Sequence, residues 1–231
     1  MKVKIEIPAD LNDITLGQYQ EFQKILDANK GEEESTFVKM KMIQIFCKVE
    51  IDQLNQLPID KFDAAIEILN KTLSQTPKHN LIINVNGQEL GFIPKLDDMT
   101  LGEYVDIESY LKEPSTYHKA MAVLYRPLKL KVKDTYLIEE YKGTDAWQHL
   151  MKHMGLSDAL GALLFFYRLG EELLNDTIHS LEEEFQTTNT ENVLSLRNGG
   201  DGTNPLITLQ TEMLIKLKEL QNYVYTNVSL N

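Results

Sequence analysis

Apolar residues recur at three- and four-residue intervals along most of this chain. That rhythm predicts helices over residues 15–28, 36–48 and 59–74, then 100–112, 115–125, 144–153 and 156–185, the last interrupted near Gly170 or Asp176. Two stretches read as strand instead, Lys2–Ile7 and Leu81–Ile93. The second contains Asn86-Gly87 between apolar runs, which suits a type I′ turn, so it is expected to be a hairpin. A further hairpin is expected from Leu128–Val132 and Thr135–Tyr141, turning at Lys133-Asp134. Arg126-Pro127 ends the helix before it, because proline disfavours helix at the preceding residue. Gly31–Ser35 reads as an acidic loop.

The pattern contains an approximate copy of itself. Leu11–Tyr19 reads L-N-D-I-T-L-G-Q-Y and Leu96–Tyr104 reads L-D-D-M-T-L-G-E-Y, with six of nine positions identical. Ile-Pro precedes both, at Ile7-Pro8 and Ile93-Pro94, with one residue of slippage. Apolar positions continue in register, Phe22 with Ile107, Ile25 with Tyr110 and Leu26 with Leu111. Further on, Met42–Phe46 falls against Met121–Tyr125, and Leu57–Leu69 against Met154–Phe166. The signature residues are Thr15, Leu16, Gly17 and Tyr19 in one copy and Thr100, Leu101, Gly102 and Tyr104 in the other. Thr15 and Thr100 can cap the helices that follow, with Asp13 and Asp98 as alternative caps. Gly17 and Gly102 then lie early in a helix, where glycine costs up to about 1 kcal/mol against alanine. Its occurrence twice at one place points to close approach of another backbone.

Residues 186–205 change character, running T-T-N-T-E-N and later R-N-G-G-D-G-T-N-P, a linker composition. Thr208–Tyr223 then reads as a last helix with Leu209, Met213 and Leu217 on one side, either docked on its own domain or free for a partner. The expected fold is therefore α+β and mainly helical. It comprises two related lobes, each a short strand or hairpin followed by helices, and a tethered C-terminal helix. The corresponding segments are 1–77, 78–185, the linker 186–205, and 206–231.

Composition narrows the chemistry. With 42% hydrophobic residues in 231 there is material for a core, and the net charge of −12 opposes nucleic acid and anionic lipid. Lys129, Lys131 and Lys133 are the densest basic run and read as a solvated strand face. The longest apolar stretch, Ala159–Tyr167, is too short to span a bilayer. The single cysteine, Cys47, reads as a buried structural thiol. His149 and His153 share a helical face, but two ligands do not make a zinc site. His118 reads as a packing or capping residue. The acidic runs Glu32–Glu34, Glu171-Glu172 and Glu182–Glu184 read as solvated surface. The glycines near residue 200 lack the Lys-Ser/Thr of a phosphate loop, and none of the common catalytic or cofactor motifs occurs, so neither catalytic residue nor cofactor nor metal is expected.

Arginine is scarce, at Arg126, Arg168 and Arg197 alone. Arg126 (in A-V-L-Y-R-P) and Arg168 (in L-F-F-Y-R-L) sit among apolar residues, where a guanidinium needs a carboxylate. Asp106 or Glu108 could serve Arg126. The other reading makes Arg126, Tyr125 and Arg168 anchors for a partner.

Four strings of the second copy, M-T-L-G-E-Y (99–104), H-K-A-M-A-V-L-Y-R-P (118–127), Y-L-I-E-E-Y-K-G-T (136–144) and L-S-D-A-L-G-A-L-L-F-F-Y-R-L-G (156–170), resemble a group of small tailed-bacteriophage proteins. That group includes proteins of crAss-like gut phages and is described as virion or tail-assembly proteins. The first copy lacks Arg-Pro and the second hairpin. The resemblance implies a non-enzymatic morphogenesis protein of the tail or head–tail region, retained in the virion or acting as a tail-assembly chaperone in the host cytoplasm. Its implied partners are other phage structural proteins and further copies of itself, with no nucleic acid, membrane or small-molecule substrate. The alternative is a phage-encoded regulator that binds a host protein.

Overall fold

The computed structural model describes residues 5–95, 99–133, 135–166 and 168. It is an α+β fold, mainly helical, with one four-stranded antiparallel sheet. Contacts divide the chain between Ala162 and Leu163. The 77/78 boundary drawn from the repeat lies inside the first of these units, where the Lys78 N–H donates to Ser157 Oγ at 3.0 Å.

Each half contains a helix that opens with the signature threonine, followed by a second helix. In the first half these are α1 (Leu16–Ala28) and α2 (Thr36–Cys47). A short α3 (Ile51–Leu54), absent from the sequence reading, leads into α4 (Ile59–Leu73). Apolar side chains of all four are buried, and Phe22 meets Phe46 edge-on at 5.1 Å between ring centroids. Lys48, at φ 53°, ends α2 in a left-handed conformation.

The second half opens with the expected hairpin, β1 (Ile82–Val85) and β2 (Gln88–Phe92), turning through Asn86 and Gly87, both at positive φ. Helices α5 (Leu101–Tyr110) and α6 (Tyr117–Leu124) follow. The next strand, β3 (Tyr125–Val132), starts three residues earlier than its pattern suggests, directly at the end of α6. It can hold Pro127 because that residue pairs with Leu90 near the strand's start. Strand β4 (Thr135–Ile138) completes a sheet of order β1-β2-β3-β4, so the two hairpins join edge to edge.

The helix expected over 144–153 contracts to a single turn, α7 (Gln148–Met151), and α8 then occupies 156–166. The early part is held instead by Thr144, whose carbonyl accepts from the Trp147 and Gln148 N–H groups. Leu54 and Met151 are buried at equivalent places, and α3–α4 and α7–α8 have the same element lengths up to the long helix. The halves thus run through the same order of helices, with β3–β4 inserted in the second.

No strand forms over residues 5–7, and residues 1–4 lie outside the described region. Here the chain is tied by the Pro8 carbonyl, which accepts from Thr72 Oγ1 of α4 at 2.9 Å, and not by a sheet edge. Leu209, Met213, Leu217, the 186–205 linker and the proposed breaks near Gly170 and Asp176 also lie outside the described residues.

Candidate functional site

Both signature threonines are N-caps, which settles the choice left open with Asp13 and Asp98. Thr15 Oγ1 accepts from the Gln18 N–H at 3.2 Å while Gln18 Oε1 accepts from the Thr15 N–H at 3.0 Å. Thr100 and Glu103 repeat the box at 3.3 and 2.7 Å. The third helical residue then reaches the last turn of the next helix in the first half and the strand residue just past it in the second. Gln18 Nε2 donates to the Ile45 carbonyl at 2.5 Å. Glu103 Oε1 lies 2.6 Å from Arg126 Nη1, both side chains buried. Arg126 thus takes Glu103, not Asp106 or Glu108. Asp106 instead accepts a short hydrogen bond from the Tyr141 hydroxyl, and the Tyr141 ring lies 5.8 Å from the Arg126 guanidinium carbon. Burial works to raise the Glu103 carboxyl, but the Thr100 bonds and the Arg126 charge outweigh it and hold the group below the ordinary carboxylate range.

Tyr125 is fully buried, stacked edge-on against Phe92, and its hydroxyl donates to the Asn80 carbonyl at 2.7 Å. Neither Tyr125 nor Arg126 is presented at the surface as a partner anchor; both serve the interior. Arg168 is exposed.

The halves meet at a joint made by the start of α1. Leu16 N–H donates to the Met154 carbonyl and Gly17 N–H to the Lys152 carbonyl, each at 2.8 Å, and Leu156 N–H returns a bond to the Ile14 carbonyl at 2.8 Å. Thr15 and Gly155 form an antiparallel bridge between them. Ile14 and Leu16 are wholly buried. A Cβ on Gly17 would stand 2.9 Å from the Lys152 carbonyl oxygen, so glycine is what admits this backbone. One turn along, buried Gln20 donates to the Pro114 carbonyl at 2.6 Å and sits 3.1 Å from His118 Nδ1. Burial, with the charges of Lys152, Lys119 and His149, pulls the His118 imidazole down to about 4. The side chain is therefore neutral near pH 7, and its Nδ1 accepts from Gln20. It packs the joint, in keeping with its sequence reading.

The second signature has the same cap and different surroundings. Leu101 is 78% exposed and Val105, the counterpart of Gln20, is 50% exposed. A Cβ on Gly102 would meet nothing within 4 Å. The close backbone approach expected at both glycines therefore exists at Gly17 alone among the described residues. Tyr19 is buried, and Tyr104 is only partly so. Identical nonapeptides could not reveal this, because what differs is the neighbour and not the helix start.

A depression of about 610 Å³ is lined by Asp10, Asn12, Gln75, Lys78, Asn80 and Ser157. Its polar atoms are largely engaged with one another. Gln75 accepts from Leu11 N–H and donates to the Ala9 carbonyl, and Asn12 and Asn80 both donate to Asp158. Cys47 is half-buried, less enclosed than expected, and burial pushes its thiol up to about 11, which leaves it protonated and a poor nucleophile. His149 and His153 are exposed, and no cluster of three metal-binding side chains occurs among the described residues. No described helix is long and apolar enough to cross a membrane.

Lys129, Lys131 and Lys133 are exposed as expected, but Leu130, Val132 and Leu137 of the same hairpin are exposed as well. Near its turn the hairpin is tied back by Tyr136, whose hydroxyl donates to the Phe92 carbonyl at 2.8 Å. Comparison with protein-family models, curated proteins and solved structures gave no match to this chain.

Proposed function

We propose that this protein is a non-enzymatic assembly component of a tailed bacteriophage, working through protein–protein contacts in the tail or head–tail region. One observation carries the reading: large apolar side chains stand exposed on well-formed elements. Leu101 and Val105 do so on α5, and Leu130, Val132 and Leu137 on β3–β4. Exposed apolar groups grouped on rigid elements mark contact surfaces. The polar depression, by contrast, has Asp10 and Lys78 as the titratable groups among its described lining residues. The phage assignment rests on the resemblance of the second half's four strings.

The test is mass spectrometry of purified virions of the encoding phage, together with pull-down from infected cells. Stoichiometric peptides in the particle support a virion component. Retrieval of phage structural proteins by a chain missing from the particle supports an assembly chaperone. Retrieval of host proteins alone overturns the proposal in favour of a host-directed regulator.

A further inference from the structure

The joint inside the chain has two halves, and each has an unused twin. The donor is the start of α1, with Leu16, Gly17 and Gln20. Its twin is the start of α5, with Leu101, Gly102 and Val105. The acceptor is the segment Lys152–Leu156 together with the start of α6. Its twin in the first half is Asn55–Ile59 together with the start of α2. The correspondence is residue by residue: Leu54 with Met151, Asn55 with Lys152, Leu57 with Met154, Ile59 with Leu156.

Both twins are open to solvent. Ile59 is 71% exposed and Phe37, at the start of α2, is 50% exposed, while Leu156 is wholly buried by the joint. Leu101 is 78% exposed where Leu16 is wholly buried. Four of the large apolar side chains left at the surface thus lie on these two twins. Backbone chemistry matches as well. Leu101 and Gly102 are the first residues of α5, so their N–H groups have no intrahelical acceptor. In α1 the equivalent groups bond the Met154 and Lys152 carbonyls. Ile59 N–H, first in α4, stands where Leu156 N–H donates to Ile14. Pro58 replaces Gly155 and lacks an N–H, and the joint uses none at that residue. Asn12 packs against Gly155 where a Cβ would stand, so the second joint omits this contact. Gly102, finally, has no neighbour of its own that requires glycine.

From this we infer that the chain assembles with copies of itself head to tail. The α5 start of one molecule docks on the Asn55–Ile59 segment and α2 start of the next, repeating between molecules the joint made within each. Such an interface is heterologous: its two faces differ, so a docked pair still leaves one of each free, and the assembly grows into a ring or an open helical chain. The inference names one partner within the assembly reading, but it rests on the joint and not on the phage resemblance.

The test uses the full chain and two substitutions at exposed positions, Leu101→Asp and Ile59→Asp. Sedimentation velocity of the wild-type chain should give oligomers larger than a dimer. Each variant alone should be monomeric, with unchanged far-UV circular dichroism. An equimolar mixture should give dimers and nothing larger, because it holds one intact pair of faces. A wild-type chain that stays monomeric at every concentration overturns the inference. So do oligomers that survive either substitution, or variants whose mixture stays monomeric. If the chain is monomeric yet binds phage structural proteins, the head-to-tail inference fails while the assembly reading stands.

Discussion

Glu103 stands 2.6 Å from Arg126 at the place where the first half sets Gln18 against the Ile45 carbonyl. One connection, from the first turn of a helix to the end of the next, is thus made once with a neutral amide and once with a buried ion pair. The ion pair is the more fragile form, since removing one charge leaves the other buried and unpaired. Glu103→Gln should cost roughly 3–5 kcal/mol in urea unfolding. Adding Arg126→Met should recover part of it, with a coupling of about 0.5–3 kcal/mol in the double-mutant cycle.

The same pair sets an acid limit. The Glu103 carboxyl titrates below its ordinary value in the folded chain, so the unfolded chain binds the extra proton. Its stabilisation is fully present above pH ~4.5 and is lost as pH falls through the lower, folded value. Urea midpoints measured against pH should show this decline, and the Glu103→Gln profile should be flatter there.

His118 gives a second, higher window. Its folded value of about 4 lies below the usual 6.5, so protonation favours the unfolded chain. Stability should be full above pH 6.5 and should fall as pH drops from 6.5 toward 4. Because the imidazole accepts from Gln20 across the joint, His118→Gln should remove this decline while keeping a hydrogen-bonding side chain. Proton NMR of the ring should find it neutral at pH 6.

Glycine-to-alanine changes at the two signatures should have opposite signs. Gly17→Ala drives a methyl group against the Lys152 carbonyl and should destabilise by about 1–3 kcal/mol. Gly102→Ala meets open space and should stabilise the isolated chain by up to ~1 kcal/mol through helix propensity. Thermal unfolding of the two variants at one dilute concentration checks both.

Much of the fold was legible because local rules wrote it. The 3.6-residue rhythm gave α1, α2, α4, α5 and α6 to within a few residues and Asn86-Gly87 gave the first hairpin, while the caps were narrowed to Thr or Asp and fall to Thr15 and Thr100. What failed depended on neighbours far along the chain. Residues 5–7, the described part of the Lys2–Ile7 reading, have no strand beside them among the described residues. The sheet's union of two hairpins depends on β2 pairing with β3. Arg126 took Glu103 because both helix ends converge there, which one-dimensional spacing toward Asp106 or Glu108 could not show. The signatures read as equivalent, and their helix starts are; only the fold reveals that one is covered and the other open. Tyr125 and Arg126 resembled surface anchors because aromatic and guanidinium groups are common at interfaces, yet burial put both inside.

The most direct measurement on the two-jointed design is thiol cross-linking between separately made variants, each carrying Cys47→Ala. One adds Leu101→Cys and the other Ile59→Cys. A short bifunctional maleimide should link them efficiently in the mixture and leave each variant alone essentially unlinked. Equal linking of either variant to itself, or none in the mixture, would contradict the account.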